Sequence, residues 1–552
     1  MTSAKKHVQV VVVGAGPSGL ALAIELGLRS ISCLVIEKND RVGYAPRAKT
    51  SNVRTREHLR RWGIANRLAQ AAPFGVDYPS NVVFVTRLAG REITRFENAL
   101  FCSPERDERY SEHSQWIPQY KLEEVMLERA LSLRHVEVAF NREFLDFQEN
   151  DDGIVVRTRD LNGGEEITLQ ADYLVGADGA RSVVREQIGA RMVGQYGLSR
   201  NYNTIFEAPG LAEAQQHGPA IMFWQMNTDA PSILGPMDVG DRWFFMPTGV
   251  PAGIHYTEDE TIGLIRDSTG IDLPYRILSS DEWVASTLVS DRYSRGKTFL
   301  IGDACHLHPP YGGYGMNMGI ADGVDLGWKL AAMLQGWGGP AIIDSVLEER
   351  APAHRHVIAE AERNHALNPN QLLHHALDDD SLEGRQARAK IAQAIQDGKR
   401  AEFFGLGVIL GYCYQGSPII VDDGTAADWR PALDYIASAT PGCLAPHHWL
   451  EDDRSLYDLF GLDFTLLVLD SDPESDDAIV AAREEANALG TPLEIVRLDN
   501  QQLRTLYAAP LALVRPDQII AWRGRRWPTG LLGKVTGFGQ ETVSTPLIGQ
   551  HA

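Results

Sequence analysis

The sequence predicts an α/β protein of several domains: a strand–turn–helix domain assembled from separated stretches of chain, a β-sheet domain, and a smaller α/β tail. Three segments, beginning near His7, Tyr173 and Thr298, each run from an apolar strand through a glycine-bearing turn into a helix. Between Arg191 and Asp291 these turns stop, and short apolar runs bounded by Gly, Pro and Asp take over, the pattern of a sheet. After about Pro431 strand and helix patterns begin afresh. At 552 residues the chain exceeds what one hydrophobic core usually supports, so roughly two to four domains are expected.

The first segment, HVQVVVVGAGPSGLALAIELGLRSISCLVIEKN, reads as strand, turn, amphipathic helix and second strand. Gly14, Gly16 and Gly19 form GxGxxG, with Ser18 inside it. The first glycine permits a tight turn, the second lets backbone N–H groups reach a pyrophosphate, and the third lets helix pack on strand. Alone that spacing is weak. Here it follows a strand, opens a helix, and is followed ~20 residues on by Glu37, where an acid should bind a ribose hydroxyl. The same carboxylate disfavours a 2′-phosphate, so the expected ligand carries an adenosine diphosphate. The preceding residues, MTSAKKHVQVVVVG, lack a small-residue cleavage site and are read as the first strand, not a signal peptide.

The second segment, YLVGADGARSVVREQIG (173–189), carries Asp178 and Gly179 in its turn and Arg181 and Arg185 on its helix. The third is TFLIGDACHLHPPYGGYGMNMG. GxGxxG, then GADG, then GDAxHxxPPxxGxGxN, in this order, resembles the flavoprotein monooxygenases that hydroxylate aromatic rings. The likeness is nearest to the branch of phenol hydroxylase, 2,4-dichlorophenol monooxygenase and 3-(3-hydroxyphenyl)propionate hydroxylase. It runs from about Val8 to Arg363, with a weaker echo after Pro441. It implies a Rossmann-like FAD-binding domain (1–75, 111–190 and 285–365) and a substrate-binding β-sheet domain (76–110 and 191–284). A helical connection (366–430) and a thioredoxin-like C-terminal domain (431–552) would complete the chain.

The resemblance also assigns roles. Asp178 and Asp303 belong to the cofactor-binding turns, Asp303 binding the ribityl or pyrophosphate portion of FAD. Pro309–Asn317 would run along the flavin, with Gly313, Gly315, Met316 and Asn317 in contact and Pro309 and Gly313 shaping the reacting space. A helix from about Asn317 would aim its positive N-terminus at the flavin edge where reduced flavin holds negative charge. Arg47 in YAPRAKTSNVRTREHL and Gln119 in WIPQYKLEEVM come into flavin contact on the same likeness; on residue type alone they read equally as a surface arginine and a helix-start polar residue. Gln119 opens a helix with apolar Leu122, Val125 and Met126. Lys49 follows Arg47 by two, so in an extended segment both side chains face the same way. It then either faces solvent or lies on the substrate side, where it would bind an anion or stabilise a phenolate. His306 and His308 form an H-x-H in a loop, where loop hydrogen bonds are expected of them and no metal.

In the β-rich stretch, AIMFWQMN, SILGPM and DRWFFMPTG read as strands. Met222, Trp224 and Met226 share one face of the first, either as core or as the wall of a substrate pocket. Residues from about Glu349 to Leu410 look helical, with a charged exposed stretch near Asp378–Arg385. In the tail, DFTLLVLDSD, DDAIVAAREEANALG, PLEIVRLD and a hairpin turning at Pro516–Asp517 give β-α-β-β-β. The redox CxxC is absent and Cys443 stands alone upstream of the first strand, so a structural or oligomerisation module is expected.

The bulk numbers exclude other classes. Lys+Arg 52 against Asp+Glu 73 gives a formal charge of -21, contrary to a nucleic-acid partner. No apolar run reaches membrane-spanning length. The five scattered cysteines show no CxxC spacing, which fits a reducing cytoplasm. The expected activity is therefore hydroxylation of a phenol-like ring with O2 and NADPH or NADH through a flavin C4a-hydroperoxide, with a homodimer possible. A flavin halogenase is the nearest alternative, but its WxWxIP motif finds only a trace in HSQWIPQ, where His113 and Gln115 occupy the tryptophan positions. An NAD dehydrogenase would leave the Asp303 motif unexplained, and a non-catalytic flavin-bound module is the remaining alternative.

Overall fold

The computed structural model describes residues 6–40, 48–151, 153–251, 253–366 and 369–539. Its first sheet has a parallel centre, in the order Val136–Ala139, Cys33–Ile36, Lys6–Val13, Glu166–Gly176, Thr298–Leu300. The central strand ends in an apolar run without alternation because both faces are covered there; Val10, Val11 and Val12 are all fully buried. Three adjacent strands, Lys6–Val13, Glu166–Gly176 and Thr298–Leu300, each end in one of the three motif turns. Turns far apart in sequence therefore meet along the carboxyl edge of one sheet, where open α/β sheets bind ligands.

The helices Pro17–Leu28 and Tyr314–Gln335 cover one face and touch closely. A Cβ at Gly323 would stand 2.7 Å from the Ser18 carbonyl oxygen, and one at Gly327 would stand 2.4 Å from Glu25 Cβ. The long helix starts at Tyr314 after Gly313, three residues before the expected Asn317, because Gly313 takes the left-handed conformation (φ +66°) that turns the loop into the helix.

The second sheet runs His306–Leu307, Arg276–Ser290, Met192–Glu207, Arg242–Pro247, Ser232–Asp238, Met222–Gln225, Val82–Val85, Glu92–Phe96. Its two longest strands, Met192–Glu207 and Arg276–Ser290, escape a reading by apolar runs because much of each is polar and paired mainly with the other. One face packs on the helix Glu258–Thr269 through Phe206, Phe223, Phe245 and Ile265. The other, carrying Phe84, Trp224 and Phe244, packs on the helix Leu382–Phe403 through Ile391, Ile395 and Phe403, and reaches Tyr311 of the glycine loop. After the helix Pro340–Ala366, the helical connection carries Leu382–Phe403 and Leu406–Leu410.

The tail sheet runs Leu493–Arg497, Phe464–Val468, Leu511–Val514, Ile520–Gly524. A helix absent from the sequence reading, Gln501–Tyr507, lies along the chain between Leu493–Arg497 and Leu511–Val514. Asn500 caps it by accepting from the Gln502 and Leu503 N–H groups. The tail is not set apart from the rest: Phe464, Leu466, Leu511 and Leu513 share one core with Trp328, Trp337 and Ile342. Beside that core, Arg515 donates to both oxygens of Glu349 (2.6 and 2.9 Å) and Lys329 donates to Glu349 at 2.7 Å, all three groups being buried.

Candidate active site

The three turns are locked to one another by backbone approach and one arginine. A Cβ at Gly14 (φ +108°) would stand 2.4 Å from the Ala177 carbonyl oxygen, so only glycine lets the first turn abut the second. Arg185 donates to the carbonyls of Ala180 (2.8 Å) and Ala304 (3.0 Å), tying the second turn to the third. The Ser18 hydroxyl is wedged between Gly302 and Gly319, each of which would place a Cβ within 2.4 Å of it. Ser18 therefore offers a ligand its backbone N–H and not its hydroxyl.

The first turn fits a dinucleotide. No atom lies within 4 Å of the position a Gly16 Cβ would take, and the helix behind it begins without a side-chain cap. The first N–H groups of that helix are left for an anion, supported by the helix dipole. Glu37 borders the turn, accepting from Ala15 N–H (3.0 Å) and from Asn39. Its Oε2, which accepts only from Ala15, keeps a lone pair for a ribose hydroxyl. Asp178 does not behave as a second free acid. Its carboxylate accepts from Ser182 Oγ (2.5 Å), Val183 N–H (2.7 Å) and Val184 N–H (3.2 Å), capping the helix Val183–Gln187 and shaping the turn. Asp303 stands half-buried on the short helical turn Gly302–Ala304, directly after the strand.

The expected flavin contacts of the loop divide between backbone and side chain. Asn317 Oδ1 accepts from Asn52 N–H (2.9 Å) and Thr55 Oγ1 (2.7 Å), and its Nδ2 donates to Thr50 O (3.0 Å) and Gly313 O (2.7 Å). With all four capacities used, the Asn317 side chain is a clamp between the long helix and the segment at 50–55, leaving its backbone for the expected flavin contact. Gln119 acts similarly: its Oε1 accepts from Ala48 N–H (3.1 Å) and its Nε2 donates to Glu123 (2.7 Å). Arg47 lies outside the described residues. Met316 packs toward the core of Leu20, Leu59 and Ile320, leaving its backbone at the loop. At Gly315 a Cβ would meet nothing closer than His308 Nδ1 at 3.5 Å, so the protein itself has room for a methyl there.

The two histidines separate. His306 bonds Asp322 at 2.9 Å, as expected of a loop hydrogen bond. Asp322 also accepts from Gly302 N–H, Arg350 and His354. Burial alone would raise this carboxyl, but His354, Arg350 and His306 outweigh it and hold Asp322 well below the usual carboxylate range. Neither ring nitrogen of His308 has a hydrogen-bond partner among the described residues, contrary to expectation. Burial and the neighbouring His306 and His354 push its pKa well down, so it is neutral.

Lys49 is the chemically distinctive residue of this region. Its ammonium stands 4.4 Å over the Phe244 ring and 3.5 Å from Asn203 Oδ1. Among the described residues no carboxylate pairs with it, and burial lowers its amine to about 8. It sits on the sheet face that bears Phe244, with Trp116 alongside (ring centroids 6.2 Å from Phe244). Of the three residues expected on this face, Trp224 stacks on Phe84 (5.4 Å, 11°) and Met226 is fully buried, so both are core under the helix Leu382–Phe403. Met222 lies half-buried at the edge of that core. Phe244 and Met246 were missed. Their spacing of two in DRWFFMP puts them on one face, but only the pairing of Met246 with Ile233, and of Ile233 with Trp224, shows which face that is.

Residues 7–361 match the family described as FAD binding domain, and residues 438–537 match aromatic-ring hydroxylase, C-terminal. The chain is 30% identical over 573 residues to the 2,4-dichlorophenol 6-monooxygenase of Delftia acidovorans, covering 94% of this chain and 95% of that protein. It is 31% identical over 489 residues to the aklavinone 12-hydroxylase of Streptomyces peucetius, covering 85% and 92%. The solved structure of the rebeccamycin biosynthetic enzyme RebC with reduced flavin matches at a TM-score of 0.88 and 32% identity, covering 97% of this chain and 100% of that one.

Proposed function

Because this chain belongs to the FAD-dependent aromatic-ring hydroxylases, we propose that the ring to be oxidised lies as a phenolate between Lys49 and the glycine loop Pro309–Asn317. The enzyme is an FAD-dependent monooxygenase of an aromatic substrate. When bound, FAD supplies the redox chemistry, taking a hydride from NADPH or NADH and activating O2 so that one oxygen atom reaches the ring.

The protein's part is binding, orientation and charge. The backbone of Gly14, Gly16, Ser18 and Gly19 would hold the diphosphate, Glu37 a ribose, and Asp303 the polyol or pyrophosphate portion. Arg47 and the backbone of Gly313, Gly315 and Met316 would hold the ring system. Asn317, Gln119 and Asp178 act one step back, keeping those segments in place. Pro309 and Gly313 shape the wall of the reacting space, and Phe244, Met246 and Trp116 offer an apolar bed for the substrate, with Met222 at its margin.

The observation that carries this reading is the half-buried ammonium of Lys49, which has no carboxylate partner among the described residues, beside an aromatic face. A cation in a site of low dielectric favours the ionised form of a phenol, and ionisation makes the ring richer in electrons for attack by an electrophilic oxygen. The dichlorophenol substrate named for one relative supports a phenol-like ring. No helix among the described residues is long and apolar enough to cross a membrane. A cytoplasmic homodimer and the division into flavin, sheet, helical and tail domains complete the proposal. The test is NAD(P)H oxidation across a panel of phenols and their O-methyl ethers, with products examined by mass. Phenols should stimulate oxidation and gain one oxygen atom; ethers hydroxylated as well as phenols would remove the phenolate from the mechanism.

A further inference from the structure

Cys443, isolated in the sequence, has a partner in the fold. It faces Cys413 across an isolated antiparallel bridge, and both thiols are free. The ladder bond beside them runs from Tyr414 N–H to Gly442 O at 2.9 Å, so the two cysteines form the non-hydrogen-bonded kind of pair. In such pairs the Cα atoms stand ~4.5 Å apart, inside the ~4.4–6.8 Å span that disulfides bridge. Cys413 Sγ leans over the same stretch, 3.7 Å from Pro441 O. Cys413 is half-buried, whereas Cys33, Cys102, Cys305 and Cys443 are buried.

The pair joins two parts of the molecule. Cys443 O accepts from Ile520 N–H (2.9 Å) and Gly442 N–H donates to Ile520 O (2.8 Å), which fixes that side to the tail hairpin. On the other side Tyr414 Oη accepts from Arg350 (2.9 Å) and Ser417 Oγ donates to Glu349 (2.5 Å), both on the helix Pro340–Ala366. Arg350 in turn donates to Asp322, which supports the third cofactor turn.

We infer that Cys413 and Cys443 are a reversible thiol–disulfide modification site that staples the tail to the flavin-binding unit. The oxidant is hydrogen peroxide, the product when NAD(P)H oxidation by such an enzyme is not coupled to hydroxylation. Cys413 sulfur attacks the peroxide O–O bond, forming a sulfenic acid and releasing water. Cys443 sulfur then displaces the second water and forms the S–S bond. In sum two thiols and one peroxide give one disulfide and two waters, the two electrons passing from sulfur to oxygen. The adjacent Cys443 thiol, together with burial, holds the Cys413 thiol above its ordinary range, so its oxidation is slow at neutral pH.

The test uses full-length, FAD-loaded enzyme exposed to hydrogen peroxide, with thiols counted after denaturation and peptides mapped without reductant. The five thiols should fall to three, with one peptide linked through Cys413 and Cys443, a raised Tm, and full reversal by dithiothreitol. Under the same exposure Cys443→Ser should oxidise at Cys413 without any cross-link or rise in Tm. Five thiols surviving exposure, linkage to another cysteine, or oxidation of Cys413 to sulfinic acid with Cys443 still free would overturn the inference.

Discussion

Replacing Lys49 with Met keeps the length and apolar stem of the side chain and removes the charge. Burial lowers this amine from the ordinary lysine value of 10.5 to about 8. At ~1.36 kcal/mol for each pH unit, that drop corresponds to ~3 kcal/mol as the cost of holding an ammonium in this site. Below pH 8 both folded and unfolded chains are protonated and the full cost is present. Between pH 8 and 10.5 the folded protein releases its proton first, so the cost is relieved as pH rises. Lys49→Met should therefore be more stable than wild type by up to ~3 kcal/mol at pH 7, the two converging above about pH 10.5. The same variant loses a charge-assisted contact to a phenolate, worth ~1.5–3 kcal/mol, or roughly 10- to 150-fold in KM. Urea unfolding at pH 7 and pH 9.5 gives the first quantity, and steady-state kinetics with a phenol gives the second. Equal stability at pH 7 together with unchanged KM and unchanged hydroxylated product per NAD(P)H would place Lys49 in solvent and refute the reasoning.

Gly16→Val should fold, since nothing in the protein stands within 4 Å of the new Cβ, but should purify poor in FAD; full flavin absorbance relative to protein absorbance would move the diphosphate elsewhere. Gly315→Ala has room within the protein and should keep its Tm and its FAD while product per NAD(P)H falls and peroxide rises; normal coupling would make this stretch of loop a plain turn. Glu349→Ala strips the shared acceptor from buried Arg515 and Lys329, so denaturant unfolding should show a loss of ~3–5 kcal/mol. A loss under ~1 kcal/mol would mean that the tail is not held by this network.

By itself the sequence determined the cofactor and the class of reaction. GxGxxG, GADG and GDA are contiguous turns whose geometry depends on residues next to one another: Gly14 must take φ +108°, and Gly16 must leave its side open. Order along the chain then sufficed to pick out the family. Tertiary structure decided which polar side chains remain free to act. Asp178 and Asn317 look like ligands in a motif, yet neighbours at 182–184 occupy three acceptor sites of Asp178, and those at 50–55 with Gly313 use all four capacities of Asn317. Lys49 acquires its lowered pKa through burial, which exists only once the fold brings elements such as Phe244 and Trp116 around it. Cys443 gains a partner because the chain folds back from Cys413. The long strands Met192–Glu207 and Arg276–Ser290 are strands chiefly because each supplies the other's hydrogen bonds. A turn is dictated by local dihedral limits, which sequence states directly, whereas burial, saturation of hydrogen bonds and strand partnership depend on contacts between distant residues that exist only once the chain has closed on itself.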